Sequence, residues 1–164
     1  MFSECASLTS LNLSTFDTKN VTDMNSMFNF CAGLTSLNLS KFNTEKVKDM
    51  RAMFFCCTGL TSLDLSKFNT ENVTSMKHMF SDCSKLKTIP QFDTSKVKNM
   101  QGMFDCCYAL QTLPILDISS VDFINGMLND TAVTEVTFRN KPANIEITSQ
   151  KLCGNPNQIT IHFV

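Results

Sequence analysis

The sequence predicts an α/β solenoid, a right-handed stack of coils with short parallel strands, short helical or 3₁₀ turns, and a β-rich C-terminal cap. Three observations predict this fold. A Met-Phe pair recurs in steps of 26, 26, 26, 24 and 24 residues, the apolar positions around it keep the same step, and the chain leaves this pattern after residue 130. A fixed period of 20–50 residues is typical of units that bury their apolar sides against their neighbours.

The repeat is defined by the Met-Phe pairs and by columns of equivalent apolar residues. The pairs are Met1-Phe2, Met27-Phe28, Met53-Phe54, Met79-Phe80 and Met103-Phe104, followed by the degenerate Met127-Leu128. One unit reads C-x2-L-x2-L-x-L-x2-F-[DN]-T-x2-V-x2-M-x2-MF-x2-C. We predict about five such units over residues 1–130.

The first half of each unit predicts a strand. In "LTSLNLS", Leu11 and Leu13 point inward and Asn12 points outward, as the period of two in a strand requires. The spacing L-x2-L-x-L is the strand signature of leucine-rich repeats. Strands of neighbouring units would form a parallel ladder.

The second half of each unit predicts a short helix or a 3₁₀-like turn. Val21, Met24, Met27 and Cys31 are three or four residues apart, which places them on one helical face. The preceding "FDT" offers side chains that cap the exposed backbone N–H groups.

Residues 131–164 predict a separate C-terminal capping segment. The stretches "VTEVTF", "IEI" and "ITIHFV" alternate apolar and polar residues and predict strands, whereas "RNKPAN" and "CGNPNQ" predict turns. A stack of coils must close its end, because an open apolar coil would recruit another chain. The chain begins within a unit, so we expect a segment of a longer protein whose uncapped N-terminal end undergoes some end-to-end self-association.

The unit resembles that of the BspA-like leucine-rich-repeat surface proteins, in the subtype with F-D/N-T-x2-V-x2-M-x2-MF-x2-C-x2-L-x2-L-x-L. The resemblance covers about residues 1 to 138. It implies a leucine-rich-repeat-like solenoid on the surface of bacteria or parasitic protists, with adhesion to host matrix or other cells in several members, and hence an association with virulence. It supplies no catalytic residues. The fifth unit departs from the pattern, because "ILDISSVDFINGML" replaces "FDTSKVKNMQGMF".

Composition excludes several classes of function. The formal net charge of −1 gives no general attraction to nucleic acid or acidic lipid, so we predict no nucleic-acid partner. No apolar run approaches the roughly 20 residues that span a bilayer, so this segment does not insert directly into a membrane. No cofactor-binding motif is found. We predict an extracellular or cell-surface location, with signal and anchor outside this segment.

The eight cysteines predict buried thiols rather than a metal site. Five of them form one column, Cys5, Cys31, Cys57, Cys83 and Cys107. Free cysteine is commonly a small buried residue. Stacked side chains that run parallel disfavour the disulfide torsion, and no C-x2–4-C pairs converge as zinc requires. We therefore predict no metal ligands.

Other residue types also favour structural roles. The methionines fall in inward columns, and the threonine column beginning at Thr18 predicts a ladder of turn hydroxyls bonded to backbone. His78 lies at a variable position, predicted to face solvent, and with only two histidines no Ser-His-Asp or Cys-His set can be argued. The lysine pairs Lys46/Lys48 and Lys96/Lys98 are interspersed with acidic residues, which indicates a solvated face of mixed sign.

The sequence therefore predicts a non-enzymatic surface module for adhesion or protein–protein binding, with a protein or glycan ligand on host matrix or another cell. The alternative is a structural spacer that displays another domain. Binding would use the outward side chains of the strand face, which are Ser10, Asn12, Ser14, Ser36, Asn38, Ser40, Ser62, Asp64 and Ser66. Because this face lacks aromatic anchors, we expect weak contacts strengthened by many copies.

Overall fold

Backbone hydrogen bonds join each repeat unit to the next in the computed structural model, which describes residues 1–156 and 158–164. Single-residue parallel bridges run through equivalent positions of five units, Asp23, Asp49, Ser75, Asn99 and Phe123. The methionine that follows each of the first four bridge residues donates its N–H across to the next unit. These bonds are Met24 to Asp49 at 2.9 Å, Met50 to Ser75 at 3.0 Å, Met76 to Asn99 at 2.9 Å and Met100 to Phe123 at 2.7 Å.

The segment around each Met-Phe pair is a succession of turns. Alternate N–H groups cross to the next unit, and those between them close local turns to the residue three positions earlier. The crossing donors of one unit are Met50, Ala52, Phe54 and Cys56, and the local donors are Met53, Phe55 and Cys57. The Arg51 N–H instead donates to the Asp49 side chain at 2.9 Å. Every backbone donor of this stretch is thereby paired, as buried backbone requires.

Left-handed residues explain why the predicted helix does not form here. Ala52 has φ 50° and Cys56 has φ 59°, and the equivalent residues of the other units also have positive φ. A left-handed residue cannot continue a right-handed helix. Of the two predicted alternatives, the 3₁₀-like turn is closer to the structure, because the local hydrogen bonds span three residues. The three- and four-residue spacing of apolar side chains therefore reflects consecutive turns.

The Leu-x2-Leu-x-Leu segments of the first three units and the matching stretch of the fourth are not strands, contrary to the sequence prediction. The Asn12 side chain accepts the Ser14 N–H at 3.0 Å, and the Leu13 carbonyl accepts the Phe16 N–H at 3.1 Å. Local turns thus begin directly after the leucine segment, and no strand forms there. The parallel contacts instead lie between the valine and methionine columns.

The inward columns are confirmed by burial. The leucine column is buried at Leu34, Leu60, Leu86 and Leu110, and so are the valine and methionine columns of the second to fourth units. The phenylalanines of the Met-Phe pairs form a continuous stack through the core. The ring centroids of Phe28–Phe54, Phe54–Phe80 and Phe80–Phe104 are 5.6, 5.6 and 5.5 Å apart, with interplanar angles of 6°, 10° and 4°.

The regular elements lie toward the C-terminus. They are β1 (Leu116–Asp117), β2 (Glu135–Arg139), α1 (Ser149–Cys153) and β3 (Thr160–Phe163). The three strands form a parallel sheet in the order β1-β2-β3, with Leu116 opposite Phe138 and Val136 opposite Ile161.

The strands predicted from "VTEVTF" and "ITIHFV" are confirmed as β2 and β3, but "IEI" forms no strand. The predicted turn "CGNPNQ" lies partly outside the described residues, at position 157. The sequence did not predict α1. The Thr148 side chain caps its N-terminus and Gly154, with φ 70°, ends it.

Candidate functional site

The predicted binding face is exposed along the first three units. All nine of its serine, asparagine and aspartate residues are exposed, and the leucines between them point inward. A groove of about 390 Å³ lies on this face and is lined by residues that include Ser10, Asn12, Asn38 and Lys41. The face is therefore accessible to a ligand, although it offers few side-chain groups that could bind one.

The longest side chains of this face already serve the backbone. Asn12, Asn38 and Asp64 accept the N–H of the residue two positions later at 3.0, 3.1 and 2.9 Å. The hydroxyl and N–H groups of Ser66 lower the pKa of the Asp64 carboxyl. Side chains in such Asx turns stabilise local structure. Only part of their hydrogen-bonding capacity remains for a ligand.

This face does not continue into the fourth unit. The unit is two residues shorter, and Pro90 and Gln91 occupy the region where "LNLS" stands in the first unit. The Gln91 side chain donates from Nε2 to the Ile115 carbonyl at 2.8 Å, across to the next unit. The regular polar ladder thus covers three units only.

The cysteine column is part of the core. Cys57 donates from Sγ to the Phe28 carbonyl at 3.1 Å, and Cys83 makes the same bond to Phe54 at 3.1 Å. Burial raises the pKa of Cys57 and of Cys107 to about 12. The nucleophilic form of cysteine is the thiolate. These thiols are therefore protonated and unreactive near neutral pH.

The threonine column is buried and bonded to backbone, as predicted. Thr44 Oγ1 donates to the Asn69 carbonyl at 2.9 Å and accepts the Asn69 N–H at 2.8 Å. Thr18, Thr70 and Thr94 donate to the equivalent carbonyl of the next unit. Each hydroxyl therefore joins two units and is not available to solvent.

A second surface, which sequence reasoning missed, begins with aromatic side chains. The ring of Phe30 is 43 % exposed and meets the half-buried Phe55 edge-on, with centroids 5.3 Å apart. Phe55 in turn meets His78 at 6.3 Å. The prediction that His78 faces solvent is wrong, because its Nδ1 is buried against Gly102 and has no hydrogen-bond partner among the described residues.

The same surface continues with acidic side chains in the next units. A carboxylate oxygen of Asp105, the Cys106 Sγ and a carboxylate oxygen of Asp130 all lie within 4.8 Å of one another. Burial is the main cause that raises the pKa of Asp105, and the charge of Asp82 adds to it. Burial also raises the pKa of Cys106. The sequence predicted no metal ligands, whereas these three side chains are of types that could hold an ion.

The lysine pairs lie on a surface of mixed sign, as predicted. Lys46 donates from Nζ to the Asn20 side chain at 2.9 Å, and Lys96 lies 3.9 Å from Glu71. These contacts are exposed and contribute little energy. Lys46 and Lys48 line one surface groove together with Glu45 and Asn72.

The missed surface carries a weak sequence signal. Phe30 and Phe55 occupy variable positions of the repeat, where other units have cysteine, aspartate, serine or asparagine. A search for periodic columns passes over such positions. The signal that could have revealed this surface is an aromatic residue at a position that does not repeat, such as the second phenylalanine of "MFFCC".

The chain matches the model of a known protein family. A family model described as "Mycoplasma protein of unknown function, DUF285" matches residues 1–112 and 35–141. No curated protein matches the chain. In the described part of the chain, no helix is long and apolar enough to cross a membrane.

Proposed function

The chain belongs to this family of mycoplasma proteins of unknown function, since the matches span most of the chain, and we propose that it is a non-enzymatic cell-surface repeat module. It mediates adhesion or protein–protein binding through its repeat surface. The fold we propose is a solenoid of the leucine-rich-repeat type, similar to the BspA-like proteins. The ligand is a protein or glycan of host matrix or of another cell.

One observation carries this proposal. Equivalent residues of successive units are hydrogen-bonded in register, so that equivalent side chains of neighbouring units lie beside one another on the surface. Such a surface suits repeated weak contacts, whose combined affinity exceeds that of any single contact. The buried thiols Cys57 and Cys107 are protonated near neutral pH, which disfavours nucleophilic catalysis by this column.

A binding screen tests this function. The purified module and a variant that lacks residues 35–86, which are two complete 26-residue periods, are compared on immobilised matrix proteins and glycans. The deletion joins equivalent positions, so the remaining units keep their register. We expect a ligand that binds the full module and binds the shortened one at least about tenfold more weakly, through loss of avidity. Equal binding by both would contradict a role of the repeat surface.

The alternative is a spacer that holds another domain at a distance. Replacing Asn12, Asn38 and Asp64 together with serine keeps a weaker form of each local turn but alters the outward face. A spacer would retain adhesion after this substitution and change it only when units are removed. An adhesive strand face would lose binding in both variants.

A further inference from the structure

An aromatic–acidic face, formed by Phe30, Phe55, His78, Asp82, Asp105 and Asp130, runs along one side of the units from the first to the fifth. Its aromatic half is the Phe30–Phe55–His78 series of edge-to-face contacts at 5.3 and 6.3 Å. None of the three rings belongs to the buried phenylalanine stack. Partly exposed aromatic side chains of this kind are enriched among the anchor residues of protein–protein interfaces.

The acidic half has carboxylates without cationic partners. The ion pairs among residues 1–156 and 158–164 join Asp17 to Lys19, Asp49 to Arg51, Glu71 to Lys96 and Glu135 to His162. None of them includes Asp82, Asp105 or Asp130. The carboxylate of Asp105 accepts a hydrogen bond from Cys106 Sγ at 3.8 Å, and this contact does not neutralise its charge.

The two halves are contiguous. His78 contacts Phe55 on one side, and on the other it lies against Gly102, whose carbonyl accepts the Asp105 N–H at 3.2 Å. Asp105 and Asp130 lie within 4.8 Å of each other through their carboxylate oxygens. Successive units are about 5.5 Å apart, as the phenylalanine stack measures. A ligand that spans a few units therefore meets both halves.

We propose that the aromatic–acidic face binds a lysine- or arginine-bearing segment of a partner protein. A guanidinium or ammonium group pairs with the unneutralised carboxylates, and a neighbouring cationic or aliphatic side chain packs on the exposed rings. Arginine suits both halves, since its planar group stacks on aromatic faces and pairs with carboxylates. This assignment rests on the proposed binding function and names its site and the chemistry of its partner.

The predicted strand face is a weaker candidate for the same partner. Its only charged member is Asp64, and its amide and carboxylate oxygens are engaged in local turns. It has no aromatic residue. The aromatic–acidic face therefore offers more binding energy per unit than the nine residues predicted from the sequence.

The test is fluorescence polarisation of a labelled peptide of alternating arginine and glycine, with a glutamate–glycine peptide as its counterpart. The intact protein binds the arginine peptide and not the glutamate peptide. The Asp105→Asn/Asp130→Asn variant weakens binding about tenfold or more, as expected for loss of anchor charges. Phe30→Asn weakens it also, and asparagine tolerates the left-handed backbone at that position, where φ is 57°.

Matched variants distinguish a specific binding site from general electrostatic attraction of the arginine peptide. Glu45→Gln/Glu71→Gln removes the same number of negative charges at exposed residues outside this face, and Phe123→Ser removes a ring that is 58 % exposed elsewhere. Both leave binding within about twofold of the unmodified protein, as rim changes do. Thermal unfolding confirms that every variant is folded.

Three results would overturn the assignment. The first is no binding of the arginine peptide at low ionic strength, and the second is an equal loss in the glutamate and aspartate variants. The third is stoichiometric binding of Zn²⁺ or Ca²⁺ that excludes the peptide, which would assign Asp105, Cys106 and Asp130 to a metal ion. Because the matrix screen with the shortened module is independent of this peptide, failure here leaves the adhesion proposal to its own test.

Discussion

The buried threonine column gives a sharp test of how the units hold together. In Thr44→Val the side chain keeps its shape and loses its hydroxyl, which bonds both the carbonyl and the N–H of Asn69 at 2.9 and 2.8 Å. Thr44 is 1 % exposed, so water does not readily replace the hydroxyl. Each orphaned backbone group costs about 1–3 kcal/mol. After a small gain from the added methyl group, we expect a loss of about 2–4 kcal/mol in the free energy of unfolding.

The assay is urea unfolding at 25 °C, with the slope of the transition checked for each variant. Thr44→Ser keeps the hydroxyl and loses one methyl group, so it costs about 1 kcal/mol. Thr22→Val changes an exposed threonine and stays within about 0.5 kcal/mol of the unmodified protein. If valine at position 44 is no more damaging than serine, the hydroxyl does not join the units and the reasoning fails.

Three further predictions concern the core, the turns and the thiols. Phe54→Ala, in the middle of the stacked rings, destabilises by about 3–5 kcal/mol in urea unfolding, whereas exposed Phe123→Ala changes little; similar losses would contradict the stack. Ala52→Gly, at φ 50°, raises the thermal midpoint by relieving up to about 1 kcal/mol of backbone strain, and a lowered midpoint would refute that strain. Burial raises the pKa of Cys57 from 9.0 to about 12, so the contribution of this thiol to the free energy of unfolding is fully present below about pH 9 and is lost as pH rises toward 12. Cys57→Ala makes this alkaline decline of the urea midpoint shallower, and an unchanged decline would show that the thiol ionises equally in both states.

The inward residues of the repeat could be predicted from the sequence because burial requires the same residue type at the same place in every unit. Leu34, Met50 and Phe54 are examples, and all are buried as their columns predict. The local backbone could not be predicted as reliably. A spacing of three and four residues is common to a helix and to consecutive turns, and only the left-handed residues, such as Ala52, distinguish them.

The predicted site residues illustrate a second limit. Asn12 and Asn38 are exposed as predicted, but their side chains cap turns, which alternation alone does not reveal. The aromatic–acidic face was missed because its residues do not repeat. Phe55 and Asp105 occupy equivalent positions of different units and have different chemistry. The residues of this face come close in space because the units stack on one another, so their proximity is not visible in the sequence.

The central claim is that each unit lies on the next in register, with a backbone partner 23 to 25 residues along the chain. Through-hydrogen-bond scalar couplings, measured by NMR on the isotopically labelled protein, test this most directly. We predict couplings from the amides of Met24, Met50 and Met76 to the carbonyls of Asp49, Ser75 and Asn99. Couplings from these amides to carbonyls four residues earlier, as in a helix, or to positions outside this register, would contradict the account.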